Sequence, residues 1–195
     1  MHQPKECHLH VAYRVLQYLK STPGKGVLFK RSGKVEVEMF TDADYAGSTI
    51  DRRSTSSHLT FVGGNLVTWR SKKQNVVARS SAEAELRALA QGICELLWVK
   101  NLFDELQIPL FSPMKICCDN KLAINLVHNP VQYDCTKHVE IDRHFIKEKL
   151  EANVICISYI PTNNQLADML TKGISGTQLQ KIIPKLEMDD IHSPA

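Results

Sequence analysis

Four acidic residues stand far apart in this chain of 195 residues, each where a regular element would begin or end: Asp42, Glu85, Asp119 and Asp168. Asp42 closes the alternating run Val-Glu-Val-Glu-Met-Phe-Thr-Asp, and Asp119 ends the short apolar run Met-Lys-Ile-Cys-Cys-Asp. Glu85 lies in the first turns of a long amphipathic stretch, and Asp168 in a short helical stretch after another strand. Strand ends and helix starts can converge on one spot in an α/β sheet. Two like charges ~4 Å apart cost about 4 kcal/mol at an effective dielectric of roughly 20. Four carboxylates brought together therefore repel one another unless cations sit among them, and such a cluster reads as a magnesium site for phosphoryl chemistry.

The elements that must position these acids can be read from periodicity. Val35 to Asp42 alternates as a strand, Ser56 to Val62 is a second and Leu66 to Ser71 a third, with Gly63-Gly64-Asn65 as a tight turn. Three antiparallel strands in a meander are the simplest arrangement. From Ser81 to about Leu106 the period becomes helical, with Leu86, Leu89, Ala90, Ile93 and Leu97 on one stripe and Ser80 or Ser81 as the cap. Strand and helix then alternate. Lys115 to Asp119 and Val154 to Pro161 read as strands. Lys121 to His128, Val139 to Ala152, Asn164 to Lys172 and Gln178 to Leu186 read as helices. That alternation implies a parallel edge to the sheet. At the front, Glu6 to Lys20 reads as a helix with Leu9, Tyr13, Leu16 and Leu19 on one side, broken by Thr22-Pro23-Gly24. The polar stretch from Glu187 to Ala195 reads as a frayed tail.

The totals suit one globular domain with an appendage. The formal charge of +3 says less than its distribution. Between Asp51 and Ala82 the bases are Arg52, Arg53, Arg70, Lys72, Lys73 and Arg79, against the single acid Asp51, which suits a phosphate backbone as partner. The blander reading is a solvated sheet edge. Six cysteines show no Cys-x-x-Cys spacing and read as reduced, mostly buried small hydrophobes, with Cys117 and Cys118 pointing to opposite faces of a strand. No signal peptide and no apolar run of membrane-spanning length is visible, which places the chain inside the cell and off the membrane.

Six motifs occur in order: FTDADYAG, DRRSTSS, WRSKKQNVVARSSAEAEL, CDNKLAINLVHNP, TKHVEIDRHFIKEKL and YIPTNNQLADMLTK. Together they resemble the ribonuclease H domain at the C-terminal end of a copia-type retrotransposon Pol polyprotein, over about residues 3 to 185. The resemblance implies an α/β ribonuclease H-like fold, a five-stranded mixed sheet with three antiparallel strands then two parallel ones, flanked by helices. It implies cleavage of the RNA strand of an RNA–DNA hybrid with two divalent cations, Mg²⁺ or alternatively Mn²⁺, and a reverse transcriptase domain in cis. Residues 1–30 then resemble the segment joining that enzyme to this domain, 31–186 the domain itself, and 187–195 a flexible tail. With no reverse-transcriptase motif present, the chain is expected to be a 5′-truncated piece of a Pol gene. A cytoplasmic setting within virus-like particles, or a nuclear one, is the implied location.

Residue by residue, the resemblance assigns catalysis and metal binding to Asp42, Glu85, Asp119 and Asp168. Asp42 would bridge two ions ~3.5–4 Å apart, one activating water and one stabilising the leaving 3′ oxygen. Asp44 competes with Asp42, since it shares a face by alternation, and otherwise reads as a turn acid. Glu83 competes with Glu85, but two residues on a helix differ by ~200°, so only one can face the site. Asp119 also suits an N-cap for the next helix. The candidates for hybrid contact are Arg52, Arg53, Ser54, Thr55, Ser71, Lys72, Lys73, Gln74 and Asn120, recognising backbone shape and 2′-hydroxyls. Trp69 could stack on a sugar or base, although a core tryptophan is the commoner case.

His138 and His144 are six apart, ~120° off in face, and so unsuited to one metal. Cys7, His8 and His10 point in different directions on a helix and read as surface residues. Where cellular ribonucleases H carry a loop histidine before the last acid, this chain has Tyr159-Ile160-Pro161-Thr162-Asn163-Asn164. Tyr133 and Cys135 stand where His and Arg are usual, and Ser57 where Gly is usual. Two other readings stay open. One is a catalytically weak or inactive transposon relic that at most binds nucleic acid. The other is an integrase-like nuclease, disfavoured because the helix glutamate precedes Asp119.

Overall fold

The computed structural model describes residues 3–33, 35–128 and 137–190, with only the backbone described at 137 and 138. Tyr133 and Cys135 lie outside the described residues.

The central sheet has five strands: β2 (Val37–Ala43), β3 (Thr55–Val62), β4 (Asn65–Lys73), β5 (Met114–Cys118) and β6 (Ile155–Tyr159), in the order β4-β3-β2-β5-β6. β2, β3 and β4 pair antiparallel, and β5 joins β2, and β6 joins β5, in parallel. The mixed sheet is the one expected. The parallel connections run through α2 (Ser81–Glu105) and through α3 (Lys121–His128) with α4 (Lys137–Glu151), as parallel strands require.

Alternation decides which face each strand residue takes. Val37 and Met39 on β2, and Met114, Ile116 and Cys118 on β5, join the main core under α2, α3 and α4. Phe40, Leu59 and Phe61 turn to the opposite face, where Leu166 and Leu186 cover them. The α2 stripe packs as read, except that Leu96 is the fully buried residue and Leu97 only partly so. Gly92 lets α2 approach β2 closely: a Cβ there would meet Met39 Sδ at 2.8 Å and Thr41 Cγ2 at 2.9 Å.

Two expectations of local structure change. The stretch around Asp168 is not an α-helix but two short 3-10 turns, Thr162–Asn164 and Leu166–Leu170. The supposed frayed tail begins with β7 (Met188–Asp190), paired antiparallel with β1 (Lys25–Val27). A three-residue strand is too short for alternation to announce it. Lys30 adds ion pairs to Glu187 and Asp189. α5 (Gly176–Ile182) opens with a capping box of Ser175 and Gln178 and leads through a 3-10 turn into β7. The first helix, α1 (Glu6–Ser21), forms as read but buries none of its residues. Among the described residues no helix is long and apolar enough to cross a membrane.

Candidate metal centre and nucleic-acid face

Four elements deliver the four acids to one rim of the sheet. Asp42 comes from the C-terminal end of β2, Glu85 from the first turns of α2, Asp119 from just beyond β5, and Asp168 from the second 3-10 turn. Carboxylate oxygens of Asp42, Asp119 and Asp168 all lie within 4.8 Å of one another, and so do donor atoms of Glu85, Cys118 and Asp119. Asp42, Glu85 and Asp119 line a shared open groove with Asn120, Lys121, Tyr159 and Lys172.

The competitors are accounted for elsewhere. Asp44 Oδ1 accepts the backbone N–H of Thr55, and its own N–H donates to the Thr55 carbonyl at 3.1 Å, so it pins the base of the 44–54 loop. Glu83 accepts the N–H of Arg79 at 2.8 Å and pairs with Arg87 at 3.0 Å, on the helix side away from the cluster. The capping role considered for Asp119 belongs to Asn120, whose Oδ1 accepts the N–H of Ala123 at 3.0 Å. Asp119 thus keeps its carboxylate for the groove, with one hydrogen bond from Thr162 Oγ1 at 2.8 Å.

The electrostatics are those of a cluster short of positive charge. Asp42 is 1% exposed, and its Oδ2 accepts the hydroxyl of Thr171. Glu85 is 5% exposed; its Oε1 accepts the N–H of Ala43 at 3.2 Å, while its Oε2 is buried with no hydrogen-bond partner. Burial, with the Asp42 charge next, pushes the Glu85 carboxyl up to about 9. Burial also raises Asp168, with Lys172 opposing and Asp42 reinforcing the shift. Lys172 lies 2.8 Å from Asp168 and 3.6 Å from Asp42. Burial, with Glu85 next, pushes the Cys118 thiol up. A buried carboxylate oxygen without a partner is costly, and hard oxygen donors at this spacing fit a divalent cation such as Mg²⁺. The cluster is thus able to hold metal through Asp42, Asp119 and Asp168, with Glu85 beside them.

The segment that carries Asp168 is tied down by side chains from three directions. Gln165 Nε2 donates to the Thr41 carbonyl at 2.8 Å, Ser57 Oγ to the Ala167 carbonyl at 3.0 Å, and Ser71 Oγ to the Leu170 carbonyl at 2.8 Å. Gln165, Thr171 and Lys172 were missed in the sequence. Only Lys172, four residues after Asp168, had a readable spacing.

The expected hybrid contacts divide. Arg52 and Lys72 are exposed, while Arg53 and Lys73 flank Asp51 at 2.6 and 3.4 Å, forming a basic rim. Thr55 is partly buried. Ser54 and Gln74 are corrected: both are fully buried, Ser54 Oγ accepting the Ala46 N–H and Gln74 Nε2 donating to Ser56 Oγ and the Ala84 carbonyl. They build the scaffold and cannot touch a ligand in this arrangement. Ser71 is exposed but spends its hydroxyl on Leu170. Trp69 is 60% exposed instead of in the core. β4 is the edge strand, and Trp69 and Ser71 stand opposite Leu59 and Ser57, on the same face as Asp42, which itself stands opposite Ser57.

Of the cysteines described, Cys117 and Cys118 are buried, whereas Cys7, Cys94 and Cys156 are exposed, contrary to the expectation of mostly buried thiols. His8 and His10 are exposed on α1, and His144 stands near Glu140. The His138 side chain is outside the described residues.

This sheet order, with acids at the ends of β2 and β5 and on the helix between, defines a ribonuclease H-like α/β fold. No protein-family model matches the chain. In structure it resembles LC11-RNase H1 in complex with an RNA/DNA hybrid, with a TM-score of 0.51 at 15% identity, covering 69% of this chain and 93% of that one. The foamy viral protease-reverse transcriptase in complex with an RNA/DNA hybrid gives a TM-score of 0.51 at 15% identity, covering 75% of this chain and 21% of that one. At such identities the likeness is one of fold. In sequence the chain is 39% identical over 186 residues to the retrovirus-related Pol polyprotein from transposon RE1 of Arabidopsis thaliana, covering 95% of this chain. Over nearly its whole length the chain is similar to retrovirus-related Pol polyproteins of transposons, and it spans 13% of the length of each of the first three of these relatives.

Proposed function

We propose that residues 31–186 hydrolyse the RNA strand of RNA–DNA hybrids, with divalent cations held by Asp42, Glu85, Asp119 and Asp168. The observation that carries this reading is the convergence of the clustered carboxylates with the unpartnered, buried Oε2 of Glu85 at one rim of a ribonuclease H-like sheet. Bound Mg²⁺ would supply an activated water and neutralise charge at the leaving oxygen.

The chain's own residues hold, orient and contact. Asp42 and Glu85 are rigid, since one is buried at a strand end and the other is bonded to the Ala43 backbone. Asp168 is positioned by the ties through Ser57, Ser71 and Gln165. The basic rim of Arg52, Arg53, Lys72 and Lys73 suits the phosphate backbone, which supplies most of the affinity for nucleic acid. Trp69 offers an exposed indole on the face of Asp42, suited to stacking against a sugar or base. A hybrid would be read by shape and 2′-hydroxyls. In this reading α1, with no buried residue, belongs to the connection from a reverse transcriptase acting in cis.

The test is cleavage of an end-labelled RNA–DNA hybrid in Mg²⁺, with single-stranded RNA as control. Wild type should cut the RNA strand of the hybrid. Asp119→Asn should lose about two orders of magnitude in rate, the scale for removing one group that stabilises transition-state charge. Equal rates for the two proteins would end the hydrolase reading. Hybrid retention on the same proteins in Ca²⁺ would then decide whether a binding module remains.

A further inference from the structure

Lys172 follows Asp168 by four residues, and its Nζ lies 2.8 Å from Asp168 Oδ1 and 3.6 Å from Asp42 Oδ2. We propose that Lys172 is a built-in counter-ion of the acidic centre, which a divalent cation must displace from between Asp42 and Asp168 in order to bind. The inference rests on reading this centre as a cation site. That reading has its own support in Glu85, 5% exposed, whose Oε2 is unpartnered in the same groove.

The arrangement has the properties of a removable charge. The Lys172 side chain is 47% exposed, while that of Asp42 is 2% exposed. The ammonium can therefore swing to water on its flexible stem while the carboxylates stay fixed. Asp42 Oδ2 is met twice from this segment, by the Thr171 hydroxyl and by Lys172. A single ammonium is a compact charge with three donors and no fixed geometry. Its ion pairs are with Asp42 and Asp168, and Asp119 feels its charge only at longer range, so the cluster remains under-neutralised and open to a doubly charged ion. Lys172 thus holds the site together without metal and weakens the binding of metal, because its charge and the cation's compete for the same two carboxylates.

The experiment is calorimetric titration of the full chain with Mn²⁺ and with Mg²⁺, for wild type, Lys172→Met, Lys172→Arg and Asp119→Asn, alongside thermal melts in EDTA. Lys172→Met should bind Mn²⁺ about tenfold more tightly, a factor equal to about 1.4 kcal/mol. It should melt at a lower temperature than wild type in EDTA and gain more from saturating Mn²⁺. Lys172→Arg, which keeps the charge, should stay close to wild type. If Lys172→Met binds no more tightly than wild type while Asp119→Asn binds more weakly, the counter-ion proposal fails and the cation site stands. If Asp119→Asn binds as wild type does, the cation site fails and the proposal with it. Should Lys172→Met not fold in EDTA, Lys172→Gln, which keeps most of the stem and a donor, is judged by the same criteria.

Discussion

Glu85 accepts the backbone N–H of Ala43 through Oε1 at 3.2 Å, so the second turn of α2 is bonded to the end of the strand that carries Asp42. One oxygen of the carboxyl is thereby fixed, and the other is left buried beside two further acids.

This placement makes the stability of the domain depend on pH. Burial and the Asp42 charge raise the Glu85 pKa from 4.5 to about 9 in the folded state. A carboxyl raised in this way favours the folded state fully below its unfolded pKa, and that contribution is lost as pH rises through the folded value. In EDTA, the Tm of the wild type should fall between pH 5 and pH 9, each value approximate. Glu85→Gln, which cannot ionise, should flatten that slope, and saturating Mg²⁺ should restore the wild type at the alkaline end. Thermal melts across pH test this; an unchanged slope in Glu85→Gln would remove Glu85 as its source.

The approach of α2 to β2 is set by Gly92, where a Cβ would crowd Met39 Sδ at 2.8 Å and Thr41 Cγ2 at 2.9 Å. Gly92→Ala gains about 1 kcal/mol of helix propensity. Overpacking a tight core contact costs about 1–3 kcal/mol, which outweighs that gain over most of its range. At ~2–4 °C per kcal/mol for a domain of this size, the Tm should fall by a few degrees. Because α2 must shift off β2, the Glu85–Ala43 bond should loosen and metal affinity should fall with it. Differential scanning calorimetry and a metal titration on the same sample check both. A Tm above wild type would mean that the helix accommodates the methyl without moving.

The loop between β2 and β3 depends on a second glycine. A Cβ on Gly47 would collide with the Asp44 carboxylate, reaching its Cγ at 2.7 Å, and that carboxylate is held by the Thr55 N–H. Gly47→Ala should break the Asp44–Thr55 bond and loosen the loop that presents Arg52 and Arg53. The expected cost is about 1–2 kcal/mol, the scale of a lost hydrogen bond with some repacking. Asp44→Ala removes the same bond, so the double variant should cost less than the sum of the singles. Additive losses in a denaturant-based cycle would show that the two residues act separately.

How far the site was legible follows from how local each determinant is. Asp42 and Asp119 are legible because alternation marks a strand end; helix phase says only that Glu83 and Glu85 cannot both face the site, and the family resemblance chooses Glu85. Asp168 has no local signal, because its segment is a 3-10 turn held by Ser57 and Ser71 from β3 and β4 and by its own Gln165 reaching the Thr41 carbonyl of β2. Ser54 and Gln74 were misread because a polar residue in a basic segment looks like surface, whereas here the 44–54 loop and the start of α2 close over them. Trp69 was expected in the core on general preference, but its strand is the sheet's edge. Which of Asp119 and Asn120 would cap α3 depended on one residue of boundary, finer than periodicity resolves.

Ser57, a departure from the family pattern that lies among the described residues, reaches the site. Its hydroxyl, 1% exposed as a residue, donates to the Ala167 carbonyl at 3.0 Å and lies 3.5 Å from the Asp42 carbonyl, so it joins the strand of one site acid to the segment of another. Ala167 is itself fully buried, so its carbonyl cannot turn to water if the donor is removed. Ser57→Ala should cost about 1–3 kcal/mol, the range for an orphaned buried acceptor. Ser71→Ala makes the comparable deletion at an exposed hydroxyl, where water can take over, and should cost less than about 1 kcal/mol. Denaturant unfolding of the two variants side by side measures the difference. Ser57→Ala should also weaken Mn²⁺ binding, because Asp168 loses a tether that fixes it against Asp42. Equal losses in the two variants would mean that the Ala167 carbonyl finds another donor, and Ser57 would then be a passive replacement for the usual glycine.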